Sequence, residues 1–511
     1  MPMFQVFMHY EVNPTTWFYL SLLMVTGIFF KFRRIWSVRN LDLLLVLSLG
    51  PGLLLAAHGF HAGYVILLTF LILLLIRMLC DPMMNRRPLL EVNLSKSGLI
   101  FCCAALMVFQ LAALVLTQTR EGGPQNVNAS LEQLLMFHLN ERLLKEEADG
   151  STVSEETLGF VGELDPQDQK DRPDRQDRSD RQKTAKTVLR HGPGMPFFTQ
   201  LADCPRQWRF KHMKERELQN GAARAEEAEQ DLLLVQNPLL TDPSGVPAEL
   251  VREEWLQIRW TIFLAALAQI AIVTGIVLTG WAHFENFNTG IAAATLYLLL
   301  PYVAQMPSRI DHLVPAALIV WAIFSWRLPS LAGVLLGTAA ALSYYPIFLL
   351  PLWCSFYWSR GLYRFLCTSL GVFLLFIVIA IPLCGGLGAF LAQSGDIFGC
   401  VGLFSRNAAG FWDIPGDSIY YYRIPVIVMY LALVFFLMFW PAQKNFGTLM
   451  SSSAVLMIGA QFCHPFQGGT YMAWFLPLVI LVILRPNLED RTAVRAVERH
   501  RRHANTSGKN A

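Results

Sequence analysis

The chain has 511 residues, of which 54% are hydrophobic and only 15% charged, with a net charge of +3 and a mean hydropathy of +0.40. Soluble proteins carry about a quarter of their residues as charges, so a water-soluble globular class is excluded, and so small a positive excess gives no basis for nucleic-acid binding. The charges are dense between Arg120 and Arg259 and sparse elsewhere, which separates a membrane-embedded body from one hydrophilic insertion.

The N-terminal "MPMFQVFMHYEVNPTTW" lacks the basic region and small-residue cleavage site of a signal peptide. The first apolar segment is therefore expected to be retained. A helix needs about 20 largely apolar residues to cross the hydrocarbon core, which selects roughly 16–31, 41–58, 62–79 and 98–117 in the N-terminal part. The insertion, 118–257, is expected to be partly disordered. Its centre, "DPQDQKDRPDRQDRSDRQKTAK", cannot bury enough apolar surface to offset the entropy of ordering. Within it, Ser130 to Ala148 and Lys214 to Asp231 carry helical patterns of a solvated or interfacial kind.

After the insertion come roughly 258–281, 289–306, 312–327, 330–353, 364–384, 424–441, 447–463 and 471–485. The expected fold is all-α and polytopic, with about twelve transmembrane helices and the insertion after the fourth. It divides into an N-terminal membrane block, 1–117, the insertion, 118–257, a C-terminal membrane block, 258–485, and a basic tail, 486–511. Period-two alternation is absent, so the pattern is not that of an outer-membrane barrel. A multi-pass protein of a bacterial inner membrane, in contact with membrane lipids, is the expected setting.

Lys and Arg in short loops set orientation. The tail, with Lys444 and the pair Arg360/Arg364, belongs in the cytoplasm. Counting back places the loops His283–Thr289, Gly385–Tyr422 and His464–Thr470 outside, and Asp311 and the insertion inside. The N-terminal block disagrees: Lys31, Arg33, Arg34, Arg39, Arg86, Arg87 and Lys96 want the cytoplasm, which would put the insertion outside. One crossing is therefore miscounted, or the rule fails once.

The three loops assigned to the outer face hold the candidate chemistry. His283 and Glu285 stand in the first, Arg406, Trp412, Asp413, Asp417 and Arg423 in the second, and His464 and, just past it, Trp474 in the third. A carboxylate can act as base on a sugar hydroxyl, an Arg can hold a phosphate bidentately, and Trp suits a sugar face. The same aromatics also mark ordinary membrane interfaces. Asp311, beside Arg309 and His312, reads as the dipole-favoured start of a helix. The nine cysteines make no zinc spacing, so no metal and no cofactor is expected. Cys384 and Cys400 share one loop and could pair. Ala332, Gly333, Gly337, Ala339 and Ala340 form a small-residue face for close helix packing. No phosphate-binding GxxxxGK[ST], GxSxG or HExxH is present.

Four stretches, "TGIAAATLYLLLPYV", "AGVLLGTAAALSYYPIFLLPLW", "FWDIPGDSIYYYRIPV" and "HPFQGGTYMAWFLPLVIL", resemble the membrane part of GT-C-fold glycosyltransferases. The likeness is to polyprenyl-phosphate-sugar-dependent mannosyltransferases and covers about residues 258–485. It implies transfer of a sugar from a polyprenyl-phosphate donor to a lipid or cell-envelope acceptor. Two departures stand out. The first four segments offer only Glu11 and Asp42, neither in the acidic pair that the family carries in its first outer loop, and Ser343 stands where related sequences often have Lys. On this reading Glu285, then Asp413 and Asp417, are the candidate catalytic carboxylates. Arg423 is the phosphate partner, and His283, Arg406, Trp412, His464 and Trp474 bind substrate. The alternative is a non-enzymatic transporter, or a scaffold that recruits a protein partner through 118–257.

Overall fold

A computed structural model describes residues 14–84, 92–118, 248–307, 309–359, 361–383, 387, 410–412, 419–441, 444–464 and 468–486. The described residues are helical, with no strand among them. Those before the insertion form α1 (Pro14–Phe29), α2 (Val38–Leu47), α3 (Leu49–Ala57), α4 (His61–Leu79) and α5 (Lys96–Gln118). After it come α6 (Ala248–Ala282), α7 (Phe287–Leu299), α8 (Pro301–Gln305), α9 (Ile310–Phe324), α10 (Pro329–Leu342), α11 (Leu350–Phe356), α12 (Leu362–Leu383), α13 (Ile419–Phe439), α14 (Phe446–Cys463) and α15 (Leu476–Leu484). Short 3-10 turns stand at Phe32–Arg34, Asp81–Met83, Tyr345–Leu349, Gly410–Trp412 and Met472–Trp474.

Among the described residues seven stretches are long and apolar enough to cross a membrane, from Val38–Ala57 to Phe446–Cys463, and five shorter apolar helices accompany them. This is compatible with a multi-pass integral membrane protein. The insertion's centre, Cys384, Cys400 and the C-terminal tail beyond Pro486 lie outside the described residues.

The chain divides into two units. One comprises Met1–Leu116, Ala265–Phe376 and Phe398–Ala511, and the other Thr117–Leu264 and Ile377–Ile397. Of the second, little more than helix ends is described; Trp260 stacks on Phe263 there, with ring centroids 5.6 Å apart.

The centre of the first unit is α14, where every residue but Phe462 is buried. A helix that is apolar all round belongs inside a bundle. Its start is fixed by a capping box: Asn445 accepts from the Thr448 backbone N–H while the Thr448 side chain reaches back to the Asn445 N–H. Against it pack α15, buried except for Ile483, and the turns and helices of α4, α11 and α13. By contrast α12 and α13 expose Leu374, Leu375, Val428, Met429, Phe435 and Phe436, an outward apolar face suited to hydrocarbon.

The two ends of α14 organise the rest. At the Phe446 end lie His283 and Trp326, with ring centroids 5.0 and 5.2 Å from Phe446. Lys444 donates there to Ser355 Oγ and to the Met438 and Pro441 carbonyls at 2.9–3.0 Å. Burial lowers the Lys444 pKa, and the three acceptors hold its ammonium in place. Asp42, Arg77, Asp81 and Arg485 interlock at the same end: Arg77 bridges Asp42 at 2.7 Å and Asp81 at 3.6 Å, and Arg485 bridges Asp81 at 2.6 Å. At Gly447 an added Cβ would lie 1.3 Å from Arg485 Nη1, so the guanidinium would have to leave its place beside Asp81.

At the other end His464 is stacked by Tyr345 at 5.0 Å, and Tyr471 lies 4.3 Å away. Three expectations change as a result. The stretch 330–353, read as one crossing, is two runs: α10 climbs from Pro329 to the His464 end, and Tyr345–Phe356 returns to Ser355 at the Phe446 end. The loops His283–Thr289 and His464–Thr470 do not share a face; they stand at opposite ends of α14. Asp311, expected opposite the His464 loop, lies beside it, since Trp474 Nε1 donates to the Asp311 carbonyl at 3.3 Å. The small-residue face of α10 does pack closely. Gly333 and Gly337 face the backbone of Phe365 and Ser369 on α12, where added Cβ atoms would come within 2.5 Å.

Candidate functional site

The His464 end is assembled from five parts of the chain. Asp311 lies in the first turn of α9, where the helix dipole favours a carboxylate. Arg309 grips it with both arms of its guanidinium, Nε to Oδ1 at 3.0 Å and Nη2 to Oδ2 at 2.8 Å. Burial works against the charge on Arg309, but the Asp311 carboxylate more than offsets it, and its pKa is raised. His312, wholly buried, stands 3.5 Å from Asp311 Oδ2 through Nε2 and 2.7 Å from the Tyr302 hydroxyl through Nδ1. Tyr302, His312, Asp311 and Arg309 thus form a continuous polar chain.

An aromatic wall continues it. The Tyr471 ring lies 4.3 Å from both His312 and His464, and 4.6 Å from Trp474. Tyr345 completes the wall, 5.6 Å from Trp474. The loop that carries Tyr471 is pinned by the buried Gln461, whose Oε1 accepts from the Gly469 and Tyr471 N–H groups at 3.2 and 3.3 Å. Gly469 adopts φ +96, and at Gly468 a Cβ would lie 2.3 Å from the Gln461 carbonyl. The glycine pair is therefore what lets the chain turn so tightly off the end of α14.

Two further side chains meet the last carbonyls of α14, which have no partner within the helix. Arg423 on α13 is 2% exposed and donates from Nη2 to the Cys463 carbonyl at 3.2 Å. Trp412 donates from Nε1 to the Phe462 carbonyl at 3.1 Å. A cation at a helix C-terminus is also favoured by the dipole.

The structure therefore brings together Trp412, Arg423, His464 and Trp474 of the residues selected from sequence. It places His283 and Glu285 elsewhere, at the Phe446 end. There His283 Nε2 lies 2.7 Å from the Phe324 carbonyl, and Trp326 Nε1 donates to His283 Nδ1 at 3.4 Å. Burial holds the His283 imidazole pKa below its ordinary value. Glu285 has φ +53, the one positive φ outside glycine among the described residues. It forms the tight turn between α6 and α7, just before Asn286 caps α7 by accepting from the Thr289 N–H. Arg406, Asp413 and Asp417 lie outside the described residues.

Sequence reasoning did not select Tyr302 or Tyr345, and it read Asp311 and Arg309 as a helix start. Their signal was present in "SRIDH" and "SYYP", but the miscounted crossing placed Asp311 at the wrong end. Among the described residues no group of three or more His, Cys, Asp or Glu is arranged to hold a metal. No family model, no curated protein and no solved structure matches this chain.

Proposed function

We propose that the chain is a GT-C-like membrane glycosyltransferase of a bacterial cytoplasmic membrane. It moves a sugar from a polyprenyl-phosphate donor to a lipid or cell-envelope acceptor at the His464 end. The observation that carries this reading is the convergence of Trp412, Arg423, His464 and Trp474, drawn from separate stretches, on one end of α14. An aromatic wall suits a sugar face and a guanidinium suits a phosphate. The acceptor oxygen attacks the anomeric carbon as its proton leaves to a base, and the bond from that carbon to the phosphate oxygen breaks. Arg423 steadies the phosphate, while Trp412, Trp474 and Tyr345 line the sugar path.

Glu285 stands at the other end of α14, about 27 Å away for 18 residues at 1.5 Å each. In this reading the base is His464, with Asp413 and Asp417, which adjoin Trp412 in sequence, as the carboxylate candidates. Read as membrane passes, the helices and the Tyr345–Phe356 run make about thirteen.

The test is transfer from a radiolabelled polyprenyl-phosphate sugar in membrane vesicles. Arg423→Gln is expected to lower kcat by about 100-fold or more, as loss of a charge-stabilising donor does, with His464→Ala also impaired and both variants still folded by thermal unfolding. Transfer undiminished in both variants would sink the reading.

One observation favours a transporter instead. Among the described residues, buried Gln110 on α5 has no hydrogen-bond partner, and buried Gln269 on α6 has the Tyr297 hydroxyl near it. Polar groups left so deep among apolar helices mark pathways in membrane proteins. The same vesicles separate the readings: a transporter moves the labelled donor across the membrane without forming a glycosidic bond.

A further inference from the structure

We propose that the Lys31–Trp36 loop is a binding site for anionic phospholipid headgroups, and that it seats the Phe446 end of the bundle on the cytoplasmic leaflet. The loop's geometry carries the first step. Asn40, 0% exposed, accepts from the Lys31 N–H at 3.0 Å, and its Nδ2 donates to the Lys31, Arg34 and Ile35 carbonyls at 3.1 Å. One buried side chain thus gathers the polar backbone of the loop inward.

The side chains are left pointing out. Arg33 and Arg34 are exposed, with Phe32 at 63%, Ile35 at 60% and Trp36 at 99% exposure. A fixed loop that presents a whole indole, two other large apolar groups and two guanidiniums needs a cover that is apolar and anionic together. The headgroup boundary of an anionic leaflet offers both within a few ångströms: acyl carbon for the rings and phosphate for bidentate guanidinium bonds.

The distribution of charge carries the second step. Lys96, Arg327 and Arg364, also exposed, stand at this same end. The carboxylates Asp42 and Asp81 are turned inward and paired with Arg77 and Arg485. At the His464 end Arg309 and Arg423 point inward, at Asp311 and the Cys463 carbonyl. Exposed positive charge therefore gathers at the Phe446 end, and the anionic cytoplasmic leaflet attracts it. Exposed Trp281, Trp358 and Tyr363 at the same end complete an interfacial aromatic belt.

Sidedness follows without reference to the transfer reaction. α5 leaves the Phe446 end at Lys96 and α6 returns to it at His283. With Tyr345–Phe356 counted as its own pass, the cations of both halves of the chain agree on the cytoplasm.

The full-length protein, unfolded thermally in micelles containing phosphatidylglycerol or phosphatidylcholine, tests the headgroup site. Wild type is expected to show a higher Tm with phosphatidylglycerol. Arg33→Gln with Arg34→Gln, and separately Trp36→Ser, should at least halve that difference while leaving the Tm in phosphatidylcholine unchanged. Equal Tm in the two lipids, or an undiminished difference in the variants, overturns the site. So does an acidic protein that co-purifies with wild type and is lost with the arginines. Sidedness is read by fusions after Ala511: a green fluorescent protein should fluoresce there and an alkaline phosphatase should be inactive. The reverse pattern overturns the cytoplasmic assignment.

Discussion

At His283 the hydrogen bonds choose a protonation state. Nε2–H donates to the Phe324 carbonyl and Nδ1 accepts from Trp326 Nε1–H, so a second proton would set two donors against each other. Burial and nearby Arg327 act the same way, lowering the pKa in the folded chain. The unfolded chain then binds more protons just below the ordinary imidazole pKa, so stability from this residue is full above it and is lost as pH falls through it. Wild type is expected to lose Tm between pH 7.5 and 5.5, and His283→Gln to lose less over the same interval. An identical loss in both would show that the titrating group lies elsewhere. The polarity of this position was legible in sequence. Its partners were not, because Phe324, Trp326 and Phe446 come from distant segments.

Elements were legible where polarity changes mark their limits, and illegible where it does not. The starts expected at 289 and 447 fall within about two residues of the observed starts of α7 and α14, Phe287 and Phe446. By contrast, the turn between α10 and α11 is hidden in "LSYYPIFLLPLW", because it is buried against the His464 aromatic cluster and so carries no charge. Pro346 reads equally as a kink or as a reversal. The α6–α7 hairpin is set by glycine: at Gly280 a Cβ would lie 2.3 Å from the Gly290 Cα, and at Gly290 one would lie 2.6 Å from the Val277 carbonyl. Gly290→Ala must push two backbones apart and is expected to cost about 1–3 kcal/mol or more. Gly371→Ala on α12, with nothing within 4 Å of the added Cβ, should instead gain up to about 1 kcal/mol from helix propensity. Thermal unfolding of the two variants side by side checks the contrast; equal effects would contradict the close crossing.

For the whole molecule, the sequence showed the class, an all-helical chain with many apolar segments, since that depends only on hydropathy and length. It did not show which ends meet, because that depends on pairings such as Asp81 with Arg485, 404 residues apart. This pairing and Asp42–Arg77 tie α2, α4 and the end of α15 together away from water. Removing one charge from such a set leaves its partner buried and uncompensated, at a cost of about 3–5 kcal/mol. Asp81→Asn is expected to lose about that much stability. Asp81→Asn with Arg485→Met should lose less than the two single losses added together. A strictly additive result would show the pair to be uncoupled.

The distance between those two residues along the chain is also an interval of time. At about 5–20 residues per second of synthesis, Asp81 exists for roughly 20–80 s before Arg485 is made. Arg77, one helical turn before it and 3.6 Å away, is the cation that can accompany Asp81 through that wait. Then α15 arrives as a keystone, and the charge that follows it joins a site already held open for it.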